Sequence, residues 1–261
     1  REIETAMIAE VRKLHHLGIE TVPRRSTLSD ANMRRSEKIF EEIYRNLYEN
    51  NKEKLISDSR KKHSESWIDR LRIIDSTTIT LFSNAIFKGV GRHPKTGKEK
   101  GGIKVHSVIY ANEGVPCDVQ FTSAATNDSF MLAPSNYAHN EIIAMDRAYI
   151  NYFKFEELTD LGVVYVTKMK KNLNYEVLID CMEQNTNGQM QYREQVVVFR
   201  KDNINHISRI ITYVDIKKSK QPKLISLLTN DFDLSLETIV AIYRKRWQIE
   251  SLFKQIKQNF P

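Results

Sequence analysis

The feature that most limits the fold of this 261-residue chain is the order of strand and helix patterns between residues 71 and 167. Three strand-like segments rich in β-branched residues come first, at 71–82, 103–110 and 119–123. A short helix, a fourth strand, a second helix and a fifth strand follow, beginning at Asp128 and then at 141–146, 153–161 and 163–167. Because strands joined by helical crossovers run parallel in one sheet, we expect the fourth and fifth strands to lie parallel to the first. The pattern predicts an α/β fold in which helices flank a mixed sheet.

Residues 1–68, before this alternation, are polar and charged and have helical periodicity. We expect Ser29 or Asp30 to cap a helix whose apolar residues recur every three to four positions as far as Leu55. Two interpretations of this helical segment stay open: a solvated helical surface, or a helical lead-in that touches a nucleic acid.

The sequence after residue 171 breaks the alternation. Three strands separated by Asn, Gly and Lys turns are predicted near 175–179, 192–199 and 207–215, which indicates a β-rich insertion. A last strand and a long helix capped by Ser235 complete the chain. We therefore divide the sequence into four segments: 1–68, 69–171, 172–222 and 223–261.

Composition narrows the class of protein. Hydrophobic residues make up 41% of the chain, enough to form a core, and no apolar run approaches the roughly 18–20 residues of a membrane span. Two cysteines are too few for a disulfide scaffold and favour a reducing cytoplasm. The net charge of +7 points to an anionic partner, although many proteins with this charge bind no nucleic acid. No secretory leader is visible, and the start at Arg1 leads us to expect a fragment of a longer protein.

Three carboxylates occupy positions that call for an explanation. Asp75 follows two isoleucines within the first strand, where an unpaired carboxylate is costly to bury. Asp146 ends the fourth strand, at the edge where open α/β sheets place their binding sites. Glu250 lies in the final helix. Taken singly, each acid is better explained by a structural role, such as that of a turn or cap acceptor for an acid at a strand end.

The final helix gives Glu250 a chemical context. At about 100° per residue, one wedge of roughly 60° contains Tyr243, Arg246, Glu250 and Lys257, and Lys254 borders it. An apolar stripe lies beside this wedge, so the wedge is at the edge of the core. An amphipathic helix with salt-bridged flanks explains the stripe but not a carboxylate placed among Tyr, Arg and Lys.

The spacing Tyr-x2-Arg-x3-Glu-x6-Lys from Tyr243 to Lys257 resembles the Y-R-E-K signature of bacterial insertion-sequence transposases of the IS-four type. The segments Ile74-Asp75-Ser76-Thr77 and Met145-Asp146-Arg147-Ala148-Tyr149 resemble the same family, and the resemblance extends over roughly residues 24–261. It implies an RNase H-like fold and a DDE triad of metal-binding acids, here Asp75, Asp146 and Glu250.

The resemblance also implies an activity and its partners. The activity is metal-dependent cleavage of DNA at the terminal inverted repeats of the element, followed by strand transfer into target DNA. Two Mg²⁺ ions, roughly 3.5–4 Å apart and replaceable by Mn²⁺, are the expected cofactor, since hard cations prefer carboxylate oxygens. We expect a homodimer in the synaptic complex, a cytoplasmic and nucleoid-associated location, and no membrane partner.

Further residues have side chains suited to DNA phosphates. Arg246 offers a bidentate fork, Lys257 a point charge and Tyr243 a hydroxyl group. Lys254 and Arg147 are additional candidates.

Lys104 and His106 alternate on the second strand and therefore share a face of the sheet. Two interpretations stay open for the pair, an approach to the active site and a sheet-surface pair, and we count Lys104 among the candidate phosphate ligands. Asp128 is expected to be a helix N-cap, and Trp247 to pack against the core rather than stack on a base.

Basic residues are concentrated in two segments. Residues 88–104 carry six basic residues against one acidic, and residues 241–261 carry five against one. Lys168, Lys170 and Lys171 follow the fifth strand, on the expected catalytic edge. We interpret these charges as a track for phosphates.

Two alternatives to a transposase remain open at this stage. One is an RNase H-like nuclease that cuts DNA without joining it. The other is a truncated, non-catalytic protein that binds the ends of the element.

Overall fold

The computed structural model describes residues 2–56, 66–80, 102–184, 190–215 and 222–259. The chain forms two compact units, residues 1–53 and 54–261. Most of the basic segment 88–104 lies outside the described residues.

The first unit is helical. Its helices are α1 (Glu2–Ala9), α2 (Val11–His16), α3 (Arg25–Arg34) and α4 (Lys38–Ile56), the last of which crosses the boundary between the units. Ser29 and Asp30 lie inside α3, so the expectation that one of them caps the long helix was wrong. Arg35 is extended, which ends α3, and the backbone N–H of Lys38 donates to the Ser36 hydroxyl at the start of α4. The sequence pattern missed this break because helical periodicity continues across it.

In the described part of the second unit, nine strands form one sheet. The strands are β1 (Leu71–Thr80), β2 (Gly102–Tyr110), β3 (Pro116–Ser123), β4 (Ile142–Met145), β5 (Val164–Lys168), β6 (Glu176–Gln184), β7 (Met190–Lys201), β8 (Ile204–Asp215) and β9 (Lys223–Thr229). Their order across the sheet is β3-β2-β1-β4-β5-β9-β8-β7-β6. The strands β1, β4 and β5 run parallel, as predicted, and every other pair is antiparallel.

Three helices cover the two faces of this sheet. Helix α5 (Tyr152–Asp160) packs on one face, and α6 (Leu236–Lys245) with α7 (Trp247–Asn259) packs on the other. Alternate residues of β1 serve the two sides: Ile73 joins the core under α6 and α7, and Ile74 joins the core under α5. Each such buried side chain contributes about 1.5–3 kcal/mol of hydrophobic stabilisation. The predicted fold class, an RNase H-like α/β sheet flanked by helices, is confirmed.

The strands from the β-rich region extend the same sheet. β9 pairs with both β5 and β8, so β8, β7 and β6 continue outward from the parallel centre. Local sequence patterns indicated these strands but not their partners, because the strand that joins them to the centre comes last in the chain.

Two predicted helix ends agree with the structure, the end of α5 and the start of α6. Gly162 follows α5 with φ +68°, and a Cβ there would lie 2.4 Å from the ring of His139, so glycine is required. Ser235 caps α6 by accepting a hydrogen bond from the Thr238 N–H at 3.2 Å.

The long final helix is interrupted once. Arg246 separates α6 from α7, and its N–H donates to the Tyr243 carbonyl three residues earlier at 3.2 Å. One continuous helix was expected, so the break is a correction, although Arg246 keeps right-handed helical dihedrals of −52° and −28°. Among the helices within the described residues, none combines the length and apolar character needed to cross a membrane.

Candidate active site

Two acids come together where the ladder between β1 and β4 ends, in the middle of β1 and directly after β4. Ile74 is in register with Met145 in this parallel pair, so the residues that follow, Asp75 and Asp146, lie side by side at the same edge. Asp75 points to the face covered by α7, where it meets Arg246. Asp146 precedes a short 3-10 turn, and its side chain makes no capping hydrogen bond there. The cap interpretation that was open for Asp146 is therefore not supported.

Helix α7 supplies the third acid. Glu250 lies in its first turn, and its Oε1 is 2.6 Å from Nη2 of Arg246. The same guanidinium donates through Nη1 to Oδ2 of Asp75 at 3.2 Å. Arg246 thus bridges Asp75 and Glu250, while its buried Nε has no hydrogen-bond partner among the described residues.

One cation does not balance this group of acids. The pKa of Asp75 is raised to about 6, mainly by burial, and the neighbouring carboxylates of Asp146 and Glu250 act in the same direction. The Ser76 N–H, which donates to Oδ1 of Asp75 at 2.8 Å, and the Arg246 charge oppose the rise. Electrostatic repulsion among acids that fold side by side marks a place suited to additional positive charge.

These side chains open into one cleft of about 600 Å³. It is lined by Asp75, Ser76, Thr77, Asp146, Arg246, Glu250, Phe253, Lys254, Lys257 and Gln258. Lys254 and Lys257 stand on α7 one to two turns beyond Glu250, and Nζ of Lys257 donates to the Thr78 carbonyl at 3.0 Å. The structure therefore gathers Asp75, Asp146, Glu250, Arg246, Lys254 and Lys257 in a single concave site.

The remaining candidates occupy other positions. Tyr243 is buried at the core boundary, 5.5 Å from its ring centroid to the Arg246 guanidinium, and burial raises the pKa of its hydroxyl. Arg147 is exposed immediately after Asp146. Trp247 is 57% exposed, so the expectation that it packs in the core was wrong. At about 100° per residue, Trp247 lies well away from the apolar stripe of α6 and α7, which leaves its indole exposed.

Lys104 lies outside the cleft. Ser76 pairs with His106 and Thr78 with Lys104 across β1 and β2, so these residues face away from Asp75. Nζ of Lys104 contacts Oδ1 of Asp128 at 3.3 Å and donates to the Thr126 carbonyl at 2.6 Å. We therefore assign its charge to Asp128 rather than to a phosphate in the cleft.

Asp128 is not the N-cap that the sequence suggested. Asn127 caps the short turn by accepting from the Ser129 N–H, while Oδ1 of Asp128 accepts from the Ser76 hydroxyl at 2.6 Å. Pairing the first two strands in register would have placed Ser76, Lys104 and His106 on one face. Nothing in the local sequence shows that Asp128 lies against them.

Lys168 is a further cation near the site, and the family resemblance did not single it out. It follows Thr167, which is in register with Met145, so it lies beside Asp146 at the sheet edge. Burial, followed by the charges of Lys223 and Arg147, lowers the pKa of its ammonium group.

The donor set fits a divalent metal, because three carboxylates face one cleft and hard cations prefer carboxylate oxygens. Within the described part of the chain, however, no three His, Cys, Asp or Glu side chains lie close enough to share one ion. The reason is visible in the contacts: the guanidinium of Arg246 stands between Asp75 and Glu250.

Comparison with known proteins agrees with this geometry. Residues 66–260 match the family model described as "Transposase DDE domain". Among curated relatives, the protein described as the probable transposase for insertion sequence element IS5377 of Geobacillus stearothermophilus is 24% identical over 72% of this chain and 48% of its own length. The transposase y4zB of Sinorhizobium fredii is 27% identical over 91% of this chain and 63% of its own length.

A third relative, the transposase for insertion sequence element IS4SA of Synechocystis, is 28% identical over 98% of this chain and 68% of its own length. The chain thus spans about half to two thirds of the length of these relatives. The matched segment contains β1, β4 and α7 with all three acids. The chain belongs to the transposase DDE domain family.

Proposed function

We propose that this chain is the catalytic part of an insertion-sequence transposase that cuts DNA at the ends of its element and joins those ends to target DNA. The observation that carries the proposal is the cleft that Asp75, Asp146 and Glu250 line together, with Arg246 in contact with Asp75 and Glu250. Asp75 and Asp146 follow paired residues of two neighbouring parallel strands, so the strand register itself sets them side by side.

Asp75, Asp146 and Glu250 would hold divalent metal, in our proposal two Mg²⁺ ions with Mn²⁺ as a substitute. Bound there, the metal would supply an activated oxygen nucleophile and stabilise the leaving oxygen. The residues of the chain orient this chemistry. Parallel pairing of β1 and β4 sets the spacing of the two aspartates, and α7 places Glu250 opposite them.

The cations of the cleft are proposed as phosphate ligands. Arg246 and Lys254 face the acids, and a phosphate entering the cleft would draw the Arg246 fork away from the carboxylates. Lys257 and the exposed Arg147 extend the positive surface along the proposed path of DNA. The ring of Tyr243 lies near the guanidinium of Arg246 and supports it through a cation–π contact.

The partners follow from this assignment. We propose that the protein binds the terminal inverted repeats of its element and a target duplex, and that two copies act together on paired ends. A transposase of this kind acts in the bacterial cytoplasm, at the nucleoid. The narrower assignment to the IS-four type rests on the spacing from Tyr243 to Lys257.

A strand-transfer assay tests the proposal. The full-length protein is incubated with DNA carrying the element end and a target duplex in Mg²⁺, and the wild type is compared with Glu250→Gln. We expect cleaved and joined products from the wild type and neither from the variant. Cleavage without joining would identify a nuclease, and DNA binding with neither reaction would identify a non-catalytic end-binding protein.

A further inference from the structure

A second polar cluster lies on the opposite face of β1 from the cleft. Asp128 is at its centre, with the Ser76 hydroxyl donating to Oδ1 at 2.6 Å, Nζ of Lys104 at 3.3 Å and Nδ1 of His106 at 3.7 Å. The metal chemistry proposed above does not use this cluster. Its side chains are nevertheless sheltered, since those of Lys104 and Asp128 are 13% and 18% exposed.

Ser76 connects this cluster to the cleft. Its side chain donates to Asp128, and its backbone N–H donates to Oδ1 of Asp75 at 2.8 Å. The other oxygen of Asp75 accepts from Arg246. Ser76 therefore donates one hydrogen bond to Asp128 and another to the carboxylate of Asp75, and its covalent backbone links the two.

The strand pairing around Asp75 shows why the contact from Ser76 to Asp128 matters for the position of the Asp75 carboxylate. The ladder between β1 and β4 ends at Ile74 and Met145, so Asp75 and Ser76 have a strand partner on one side only, in β2. Asp75 lies in the middle of β1, where the ladder with β2 continues to Thr80 but the ladder with β4 has ended, so its position also depends on any side-chain contact made beside it. The hydrogen bond from Ser76 to Asp128 supplies that contact at the first residue beyond Asp75.

We infer that Asp128 is a positioning residue for the metal site, acting through Ser76 to fix the backbone and carboxylate of Asp75. Lys104 completes the arrangement by neutralising Asp128, which lets a charged acceptor remain in this sheltered position. The inference rests on the proposed function, because it gives Asp75 the role of a metal ligand. Residues that orient metal ligands typically change metal affinity or activity about 10- to 100-fold when they are replaced.

Calorimetric titration of the metal-free full chain with Mn²⁺ measures the change in metal affinity without any catalytic readout. We expect Ser76→Ala and Asp128→Asn each to weaken Mn²⁺ binding about tenfold. Ser76→Thr keeps the hydroxyl on a residue suited to a strand and should restore near-wild-type affinity. Because both residues act through the same hydrogen bond, the double variant should bind Mn²⁺ as tightly as whichever single variant has the lower affinity.

The ion pair of Arg72 and Glu141 provides the matched control. Its side chains are 18% and 14% exposed, nearly the same as those of Lys104 and Asp128, and it lies at the opposite end of β1 and β4. Glu141→Gln should lower thermal stability and leave Mn²⁺ affinity unchanged. An equal loss of Mn²⁺ affinity in Glu141→Gln would overturn the inference, because general destabilisation would then explain every variant.

Asp75→Asn separates this inference from the proposed function. If Asp75→Asn abolishes Mn²⁺ binding while Ser76→Ala and Asp128→Asn bind like the wild type, the positioning role is wrong and the metal site stands. If Asp75→Asn binds Mn²⁺ as the wild type does, the proposed metal site fails and the positioning role fails with it.

Discussion

Both ends of the parallel pair β1 and β4 carry charged side chains. At the amino end the charges form one ion pair, whereas at the carboxyl end several acids lie together. At the amino end, Arg72 donates to Oε1 of Glu141 from Nε at 2.8 Å, and Nη2 lies 2.6 Å from the same oxygen. The other oxygen of Glu141 accepts from the Ala138 N–H at 2.9 Å. The guanidinium also lies against the rings of Tyr110 and Tyr137. One cation meets one carboxylate, and both are fully engaged.

At the carboxyl end, three acids lie together and two of them contact the same guanidinium. Asp75 and Glu250 contact Arg246, while Asp146 stands beside Asp75 without capping the turn that follows it. Burial and, to a lesser extent, the two neighbouring carboxylates raise the pKa of Asp75, and the Nε of Arg246 has no hydrogen-bond partner among the described residues. A closed ion pair stabilises a fold, whereas an unbalanced cluster in an open cleft is ready to bind a ligand.

The largest difference between the two ends should appear in DNA cleavage. Asp75→Asn removes a proposed metal ligand and should lower the cleavage rate on the order of a thousandfold, or about 4 kcal/mol in the activation barrier. Glu141→Gln, on the same two strands, should cleave at nearly the wild-type rate per folded molecule. Single-turnover assays with a fixed amount of folded protein measure both, and equal losses would remove the distinction between the two ends.

Asp75, at the carboxyl end of the pair of β1 and β4, should make the free energy of unfolding depend on pH. The pKa of Asp75 is about 6 in the folded chain, above its ordinary value of 3.8. Between these values the folded protein binds a proton that the unfolded chain has released, so the contribution of Asp75 to stability is greatest below about pH 4 and is lost as pH rises towards 6. The loss attributable to Asp75 is at most about 3 kcal/mol.

Denaturant unfolding of the metal-free protein between pH 4 and 7 measures this loss, with Asp75→Asn as the comparison. The variant should show a smaller fall in the free energy of unfolding over that range. Parallel curves for the two proteins would contradict the assignment.

Neutralising one acid at each end should change stability in opposite directions. Glu141→Gln breaks a sheltered ion pair and should lower the free energy of unfolding by about 2 kcal/mol. Asp146→Asn relieves repulsion in the metal-free cleft and should raise it by about 0.5 kcal/mol. Urea unfolding in the presence of a chelator gives both values, and destabilisation by Asp146→Asn would show that its charge is already balanced.

The smallest effect should come from single cations at the rim of the cleft. Lys254→Gln should weaken DNA binding moderately and reduce the slope of log affinity against log salt by about one. Lys104→Gln carries the same change in charge but lies on the opposite face, so its slope should remain that of the wild type. A reduced slope for Lys104→Gln would restore the phosphate role expected from the sequence.

Much of the site could be predicted from sequence because its signals are local. Asp75 and Asp146 interrupt apolar strands, and helical spacing puts Arg246 and Glu250 on one side of the final helix. The role of Asp128 could not be predicted, because its partners come from strands that precede it by many residues and only tertiary packing brings them together. The helix break at Arg246 was missed because residues on both sides keep one amphipathic pattern.

Metal dependence is the most direct test of the central claim, that Asp75, Asp146 and Glu250 hold divalent metal for DNA cleavage. Cleavage of element-end DNA by the full-length protein is measured in excess chelator and again after Mg²⁺ is restored. The account predicts almost no cleavage in chelator and full recovery with Mg²⁺. Full activity in chelator would contradict it.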